Sequence, residues 1–214
     1  MQKDSYKIVS YKIKHGYNID DFLLSYRSLL QRTIDIIWGN ITWVEEREKR
    51  YYIVENGRKK TRIYYYVKRL IPLIPKTREF KNWLRGELLK DWVYASHYVD
   101  SAIKAAYSIL KSWRRNYIKG ERKREKPVVK RLFARIKETL YTYRDGKIGV
   151  TVVPRKQYLE FDLTKAWFKN KVKGLDLGEL ILAKNELIIT FRKPAKKKNH
   201  AECIGWDSNL FSLD

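Results

Sequence analysis

The 214-residue chain carries 47 Lys and Arg against 24 Asp and Glu, a net charge of +23. Self-repulsion on that scale is relieved by a polyanionic partner, and nucleic acid is the expected one. A hydrophobic content of 44% and an aromatic content of 14% exclude a disordered polycation, and the single Cys203 excludes an intrachain disulfide and a cysteine-based zinc site.

The first periodic segment, Tyr6 to Lys14, places Tyr6 and Ile8 on one face and Tyr11 and Ile13 on the other, which predicts a strand with a bulge. Asn18 and Asp20 are the candidate caps of a helix whose apolar positions Phe22, Tyr26, Leu29, Leu30, Thr33 and Ile37 recur at three and four. Gly39-Asn40 should stop it. Between 41 and 73 two β-branched and aromatic runs, Tyr51 to Val54 and Ile63 to Val67, flank Asn56-Gly57 and predict a hairpin. After Pro72 and Pro75 an apolar stripe runs from Phe80 through Leu84, Leu88, Trp92, Ala95 and Val99 to Leu110, Trp113 and Tyr117. It predicts one helix of about 40 residues, with Gly86 as the candidate break.

Beyond Gly120 and Pro127 short strands take over, at Lys147 to Val153, Tyr158 to Leu163, Glu179 to Leu182 and Glu186 to Arg192. Asp145-Gly146 reads as a hairpin turn and Ala183-Lys184-Asn185 as a second. Strands so short and so closely spaced suggest an α+β chain built on a small β-barrel, completed by the amino-terminal strand and interrupted by the helices. Lys193 to Lys198 reads as a basic linker, and Glu202 to Asp207 as a strand that opens a new unit.

The charge is localised. From Lys111 to Lys137 there are twelve basic residues and two acidic ones, Glu121 and Glu125. A solvated helix end, its cations complementing the macrodipole, accounts for part of this. The density persists beyond the helix, however, and phosphates explain it better. The candidate nucleic-acid ligands are Lys111, Arg114, Arg115, Tyr117 and Lys119, then Arg122, Lys123, Arg124, Lys130, Arg131 and Arg135, and finally Tyr141, Tyr143 and Arg144. The tyrosines are either stacking platforms or core residues, with Tyr141 and Tyr143, which flank a hairpin beside Arg144, favoured as ligands. Trp113 continues the apolar stripe, which favours burial. A second block, Arg58 to Arg62, is either a β-ribbon contact or a soluble loop. Met1 to Ser10 has no apolar segment, no run approaches 18 apolar residues, and His15, His97 and His200 lack ligand spacing. The expectation is a cytoplasmic chain with no membrane span and no structural metal. Three Gln, one Met and one Cys beside abundant Lys, Glu, Ile and Tyr lean toward a thermophile.

Ser112-Trp113 with Tyr117-Ile118-Lys119-Gly120, the basic stretch around Pro127, the β-rich segment, and Ile204-Gly205-Trp206-Asp207-Ser208-Asn209 together resemble the amino-terminal portion of the TnpB family, the OrfB-type proteins of insertion sequences. The resemblance covers nearly the whole chain and implies a wedge β-barrel over 1–17 and 126–192, a helical recognition insert over 18–125, a linker over 193–200, and the first strand of a truncated RNase H-like (RuvC-like) nuclease domain over 201–214. It implies guide RNA and target DNA as partners, with sequence recognition delegated to base pairing. Asp207 matches the family's first catalytic, metal-binding carboxylate. Two-Mg²⁺ phosphodiester hydrolysis needs several carboxylates, and the later ones, with the family's zinc element, have no counterpart here. Mg²⁺ would therefore serve a full-length relative, no cofactor is expected for this chain alone, and independent cleavage is not expected. The reading that competes is a self-contained DNA- or RNA-binding protein such as a transposon-derived repressor.

Overall fold

The computed structural model describes residues 6–57 and 59–195. Asp207, the strand expected at 202–207 and the end of the basic linker lie outside the described residues. The element order is β1 (Tyr6–Lys14), α1 (Asp20–Gly39), β2 (Thr42–Asn56), β3 (Lys59–Leu73), α2 (Arg78–Leu89), α3 (His97–Lys119), β4 (Phe133–Ile136), β5 (Tyr141–Arg144), β6 (Lys147–Val153), β7 (Gln157–Asp162), β8 (Asp176–Ala183) and β9 (Glu186–Pro194). The fold is α+β.

The strands other than β2 and β3 form two open antiparallel sheets, ordered β1-β9-β8-β4 and β5-β6-β7. They do not close into the expected barrel, because β1 and β4 remain edges of the first sheet and β5 and β7 edges of the second. Their apolar faces meet in one core: Ile148, Val150 and Val152 of β6 and Leu159 and Phe161 of β7 are buried together with Leu180, Leu182, Leu187, Ile189 and Phe191 of β8 and β9. The Tyr17 hydroxyl, which donates to Glu160 O at 2.6 Å, ties the end of β1 to the second sheet. All nine residues of β1 pair with β9 in unbroken register, so the bulge expected in β1 is absent. The register shift falls instead between Leu177 and Leu180 of β8, and another between Thr151 and Val153 of β6. Pairing of Tyr6 with Pro194 also extends β9 into the stretch read as linker. The chain leaves the first sheet after β1 and returns to it only at β4, so the helices and the β2–β3 hairpin form one long excursion from that sheet.

Helix α1 buries Phe22, Leu23, Tyr26, Leu29, Leu30, Thr33, Ile34 and Ile37. It faces Tyr98, Val99, Ala102, Ala105, Ala106 and Leu110 of α3, whose three alanines leave room for the large side chains of α1. The Tyr26 hydroxyl lies 2.9 Å from Ser101 Oγ, and Ser101 donates to Tyr98 O, which satisfies the polar atoms of this contact. Neither Asn18 nor Asp20 caps α1. The capping position is Ile19, without a side-chain cap, and Asp20 is spent on an ion pair with Lys184 at 2.7 Å. Acidic residues in the first turn still suit the helix dipole. Asn40 closes the helix, its Nδ2 donating to Ile36 O at 2.8 Å.

The single helix expected over Phe80 to Tyr117 is two helices. Gly86 lies inside α2, and the break spans 90–96, where Trp92 Nε1 donates to Ala95 O and Ala95 N to Val152 O. Leu88, Trp92, Ala95 and Val99 all reach the same core, so the apolar period runs unbroken through a turn. Gly120 ends α3 at φ 84° and returns its N–H to Asn116 O and Tyr117 O. A side chain there would be strained, and glycine is the residue that ends helices this way. Asp145 and Gly146, at φ 50° and 76°, make the hairpin turn expected between β5 and β6.

The hairpin at 42–73 exceeds its expectation. Both strands are 15 residues long and pair throughout, from Thr42 with Leu73 to Asn56 with Lys59, giving a ribbon of about 50 Å. Its side chains are exposed almost everywhere, so no alternation of polarity advertised the outer halves of the strands. No helix among the described residues is long and apolar enough to cross a membrane.

Candidate nucleic-acid interface

The carboxyl-terminal half of α3 has two faces set by helical spacing. Leu110 and Trp113 are buried. Tyr107, Lys111, Arg114, Arg115, Ile118 and Lys119, spaced at three and four, form the opposing stripe. The chain between β3 and α2 runs alongside that stripe, pinned by the Tyr107 hydroxyl, which donates to Pro75 O at 2.7 Å. Thr77 caps α2 by accepting from Phe80 N.

Between these walls lies an open cleft of about 650 Å³ lined by Lys76, Lys81, Lys111, Arg114, Arg115 and Lys119, with Ile74, Tyr107 and Ile118 as its apolar floor. Six cations line it, and no carboxylate does. Lys81 Nζ lies 5.4 Å from the Tyr107 ring centroid, and burial raises the pKa of that phenol, so it stays neutral. Lys111 and Arg115 are exposed, and neither has an ion pair among the described residues. Arg114 is half-buried and donates through Nε to Pro72 O at 2.8 Å, so it builds the wall as well as charging it. Lys119 has only a loose pair with Glu121, at 3.8 Å.

Lys76 and Lys81 were missed in the sequence because they precede Lys111, the first cation of the stripe, by 30 positions or more. The signal that pointed toward them is the unbroken stripe from Tyr107 to Ile118, which asks for a facing wall.

The other candidates do not share the cleft. Trp113 is buried, with ring centroids 4.6 Å from Trp38 and 6.1 Å from Trp43. Tyr117 stacks on Trp113 at 5.3 Å and meets Trp43 edge-on, so its ring is engaged by protein. After Gly120 the chain crosses α1. Gln31 holds it by accepting from Val129 N and donating to Pro127 O, and Asp35 pairs with Lys126 at 2.9 Å. Arg122, Lys123 and Arg124 are exposed on this strap, with Arg124 packed 3.8 Å over the ring of Trp43. Lys130 and Arg131 are exposed just before β4.

Arg135, on β4, pairs with Glu179 at 3.8 Å, and its buried Nε has no partner among the described residues. Glu179 also holds Lys104. That hydrogen bond keeps the carboxyl below the usual glutamate range although burial opposes it. Tyr141 is half-buried and donates to Gly178 O, and burial, with Glu138 nearby, raises its pKa. Tyr143 and Arg144 stand exposed at the end of β5. Arg135 and Tyr141 are thus engaged by the sheet, whereas Tyr143 and Arg144 remain open to solvent. Among the described residues no group of three or more His, Cys, Asp and Glu is placed to hold a metal ion, so these residues do not fit a two-metal site.

The MJ1635 protein of Methanocaldococcus jannaschii, named TnpB-like, is 41% identical over 209 residues, 97% of this chain and 45% of that relative. The chain therefore spans less than half the length of that TnpB-like relative, and the resemblance drawn from its motifs is borne out. The MJ0013 protein of the same thermophilic archaeon is 46% identical over 151 residues, 70% of this chain and 91% of that relative. A family model described as the Uncharacterized protein MJ0013 family matches residues 22–151, a span that contains the ribbon, the cleft and the strap. On these matches the chain belongs to the MJ0013 family.

Proposed function

We propose that this chain is the nucleic-acid-binding part of a TnpB-like, transposon-encoded RNA-guided DNA endonuclease, gripping guide RNA and assisting target DNA engagement, and that it does not cut DNA alone. The observation that carries the reading is the cleft beside α3, where six cations converge without a carboxylate. Cations held this densely on ordered walls are stabilised by phosphates, which displace their counterions. The apolar floor gives the sugar–base side of a strand something to lie on. In this reading the two sheets take the wedge role, in open rather than closed form, and the excursion between β1 and β4 takes the recognition role. Base pairing would supply sequence specificity, so the protein needs charge and shape more than base contacts. Asp207 would be the first carboxylate of a RuvC-like, Mg²⁺-dependent site completed elsewhere. Mg²⁺-dependent cleavage that survives Asp207→Ala would remove that role.

The direct test is to purify the chain and look for RNA that co-purifies and is released as salt rises. Protein free of nucleic acid, with no salt-dependent RNA binding, would overturn the proposal.

One observation favours a second reading. MJ0013 is matched over 91% of its own length, so a relative exists that consists almost wholly of the shared stretch. That suits a self-contained binder of DNA or RNA, such as a transposon-derived repressor. Preference for a short duplex sequence in the absence of any guide would select it.

A further inference from the structure

The β2–β3 ribbon has two faces of different chemistry, and register assigns every residue to one of them. Residues directly opposed across an antiparallel pair share a face. Arg47 opposes Lys68, Lys49 opposes Tyr66, Tyr51 opposes Tyr64, Ile53 opposes Arg62 and Glu55 opposes Lys60. That face carries five cations against two carboxylates, Glu45 and Glu55, each paired within the face, to Lys68 and Lys60. The other face carries Glu46, Glu48, Arg50, Lys59 and Arg69, three cations against two carboxylates, with Glu48 bridging both arginines, so less charge is left over there.

The cationic face is also aromatic. Tyr51 and Tyr64 lie 5.8 Å apart, Arg62 sits 5.0 Å from the Tyr51 centroid, and Lys49 sits 4.2 Å from that of Tyr64. Tyr66 is 66% exposed. Successive rows on one face of a strand are about 6.8 Å apart, so charge and ring alternate along the ribbon at a spacing that suits an extended polynucleotide. At the foot of the same face stands Trp43, opposite Pro72, with Arg124 of the strap on its ring. The cationic track therefore continues from the strap onto the ribbon.

We infer that this face of the ribbon is a second nucleic-acid surface, separate from the cleft, that binds an unpaired strand of RNA or DNA by stacking its bases on Tyr51, Tyr64 and Tyr66. A duplex is disfavoured as occupant, because its bases hide their faces in the stack, while Lys49 and Arg62, the cations in the middle of this surface that could read base edges, are held over the Tyr64 and Tyr51 rings. The inference rests on the nucleic-acid reading of the chain but not on the cleft.

The test measures binding of the full chain to a labelled oligouridylate, an oligothymidylate and a DNA duplex of equal length. Stacking contributes about 1 to 3 kcal/mol per base, or roughly 5- to 150-fold for each ring removed. Tyr64→Ala/Tyr66→Ala should weaken single-strand binding at least tenfold. Tyr52→Ala/Tyr65→Ala, on the opposite face, should stay within about twofold of the unaltered chain. Tyr64→Phe/Tyr66→Phe, which keeps the rings, should retain affinity and shows that any loss is not unfolding of the ribbon. Equal losses from both faces, no loss from the first, failure of the phenylalanine variant to bind, or a preference for the duplex would each overturn the inference. The ratio of oligouridylate to oligothymidylate affinity identifies the strand. Lys111→Ala/Arg115→Ala, measured alongside, judges the cleft reading separately.

Discussion

Replacing Lys111 and Arg115 together by alanine removes two cations from the cleft without disturbing its walls. Both side chains are exposed and neither makes a hydrogen bond or an ion pair among the described residues, so stability should change by less than about 0.5 kcal/mol. Each phosphate neutralised on a single strand contributes about 0.7 to the slope of log affinity against log salt. Two lost contacts lower the magnitude of that slope by about 1.4, which at about 0.1 M salt is a loss of roughly 25-fold. Fluorescence anisotropy of a labelled RNA of about 20 nucleotides, titrated from about 50 to 200 mM KCl, reads both quantities. Arg114→Ala is the informative contrast, because its Nε bond to Pro72 O ties the foot of the ribbon to α3 and its loss should also reduce thermal stability. A double variant whose slope equals that of the unaltered chain, or whose affinity loss does not depend on salt, would refute the cleft as a phosphate site.

Three further outcomes test the frame that holds the site. Arg69 donates to Tyr117 O at 2.8 Å, taking an end-of-helix carbonyl, and a hydrogen bond of this charged kind contributes about 1.5 to 3 kcal/mol. Arg69→Ala should therefore speed amide exchange in the inner half of the ribbon by tenfold or more while the core melts nearly unchanged. Tyr26→Phe leaves the packing intact but removes the buried hydroxyl from Ser101. A loss of about 1 kcal/mol, read as a lower Tm, is expected. For Glu179 the folded pKa lies below the unfolded one, so its contribution is present above about pH 4.5 and is lost as pH falls through the lower folded value. Glu179 is 46% exposed and Lys104 61%, so solvent screening holds the effect to about 1 kcal/mol or less. Glu179→Gln should flatten the acid limb of a stability-against-pH curve, and an unchanged limb would assign that limb to other carboxylates.

Local chemistry decided what the sequence made legible. Residue spacing in α1 marked its buried face, Gly120 marked the end of α3, and Asp145-Gly146 marked the turn between β5 and β6. In each case a single residue type or a 3.6-residue period suffices. The charge from Lys111 to Lys137 raised the expectation of a polyanionic partner without any knowledge of the fold. The break at 90–96 stayed hidden because a turn whose side chains all reach one core preserves the apolar period of a helix. The ribbon's full length stayed hidden because a sheet with both faces in solvent has no alternation to read.

Tertiary structure alone decided which cations act together. The β3–α2 connection and the first turn of α2 place Lys76 and Lys81 opposite Lys111 and Arg115 of α3, and cross-strand register puts Lys49, Arg62 and three tyrosines on one side of the ribbon. The same packing withdrew Tyr117 and Tyr141 from the candidate interface by occupying them with protein. By itself the sequence determined how much positive charge the chain carries and roughly where along its length. Which of those charges face solvent together, and which are spent on carboxylates or carbonyls, depends on contacts between residues far apart in the chain, and periodicity carries no record of those.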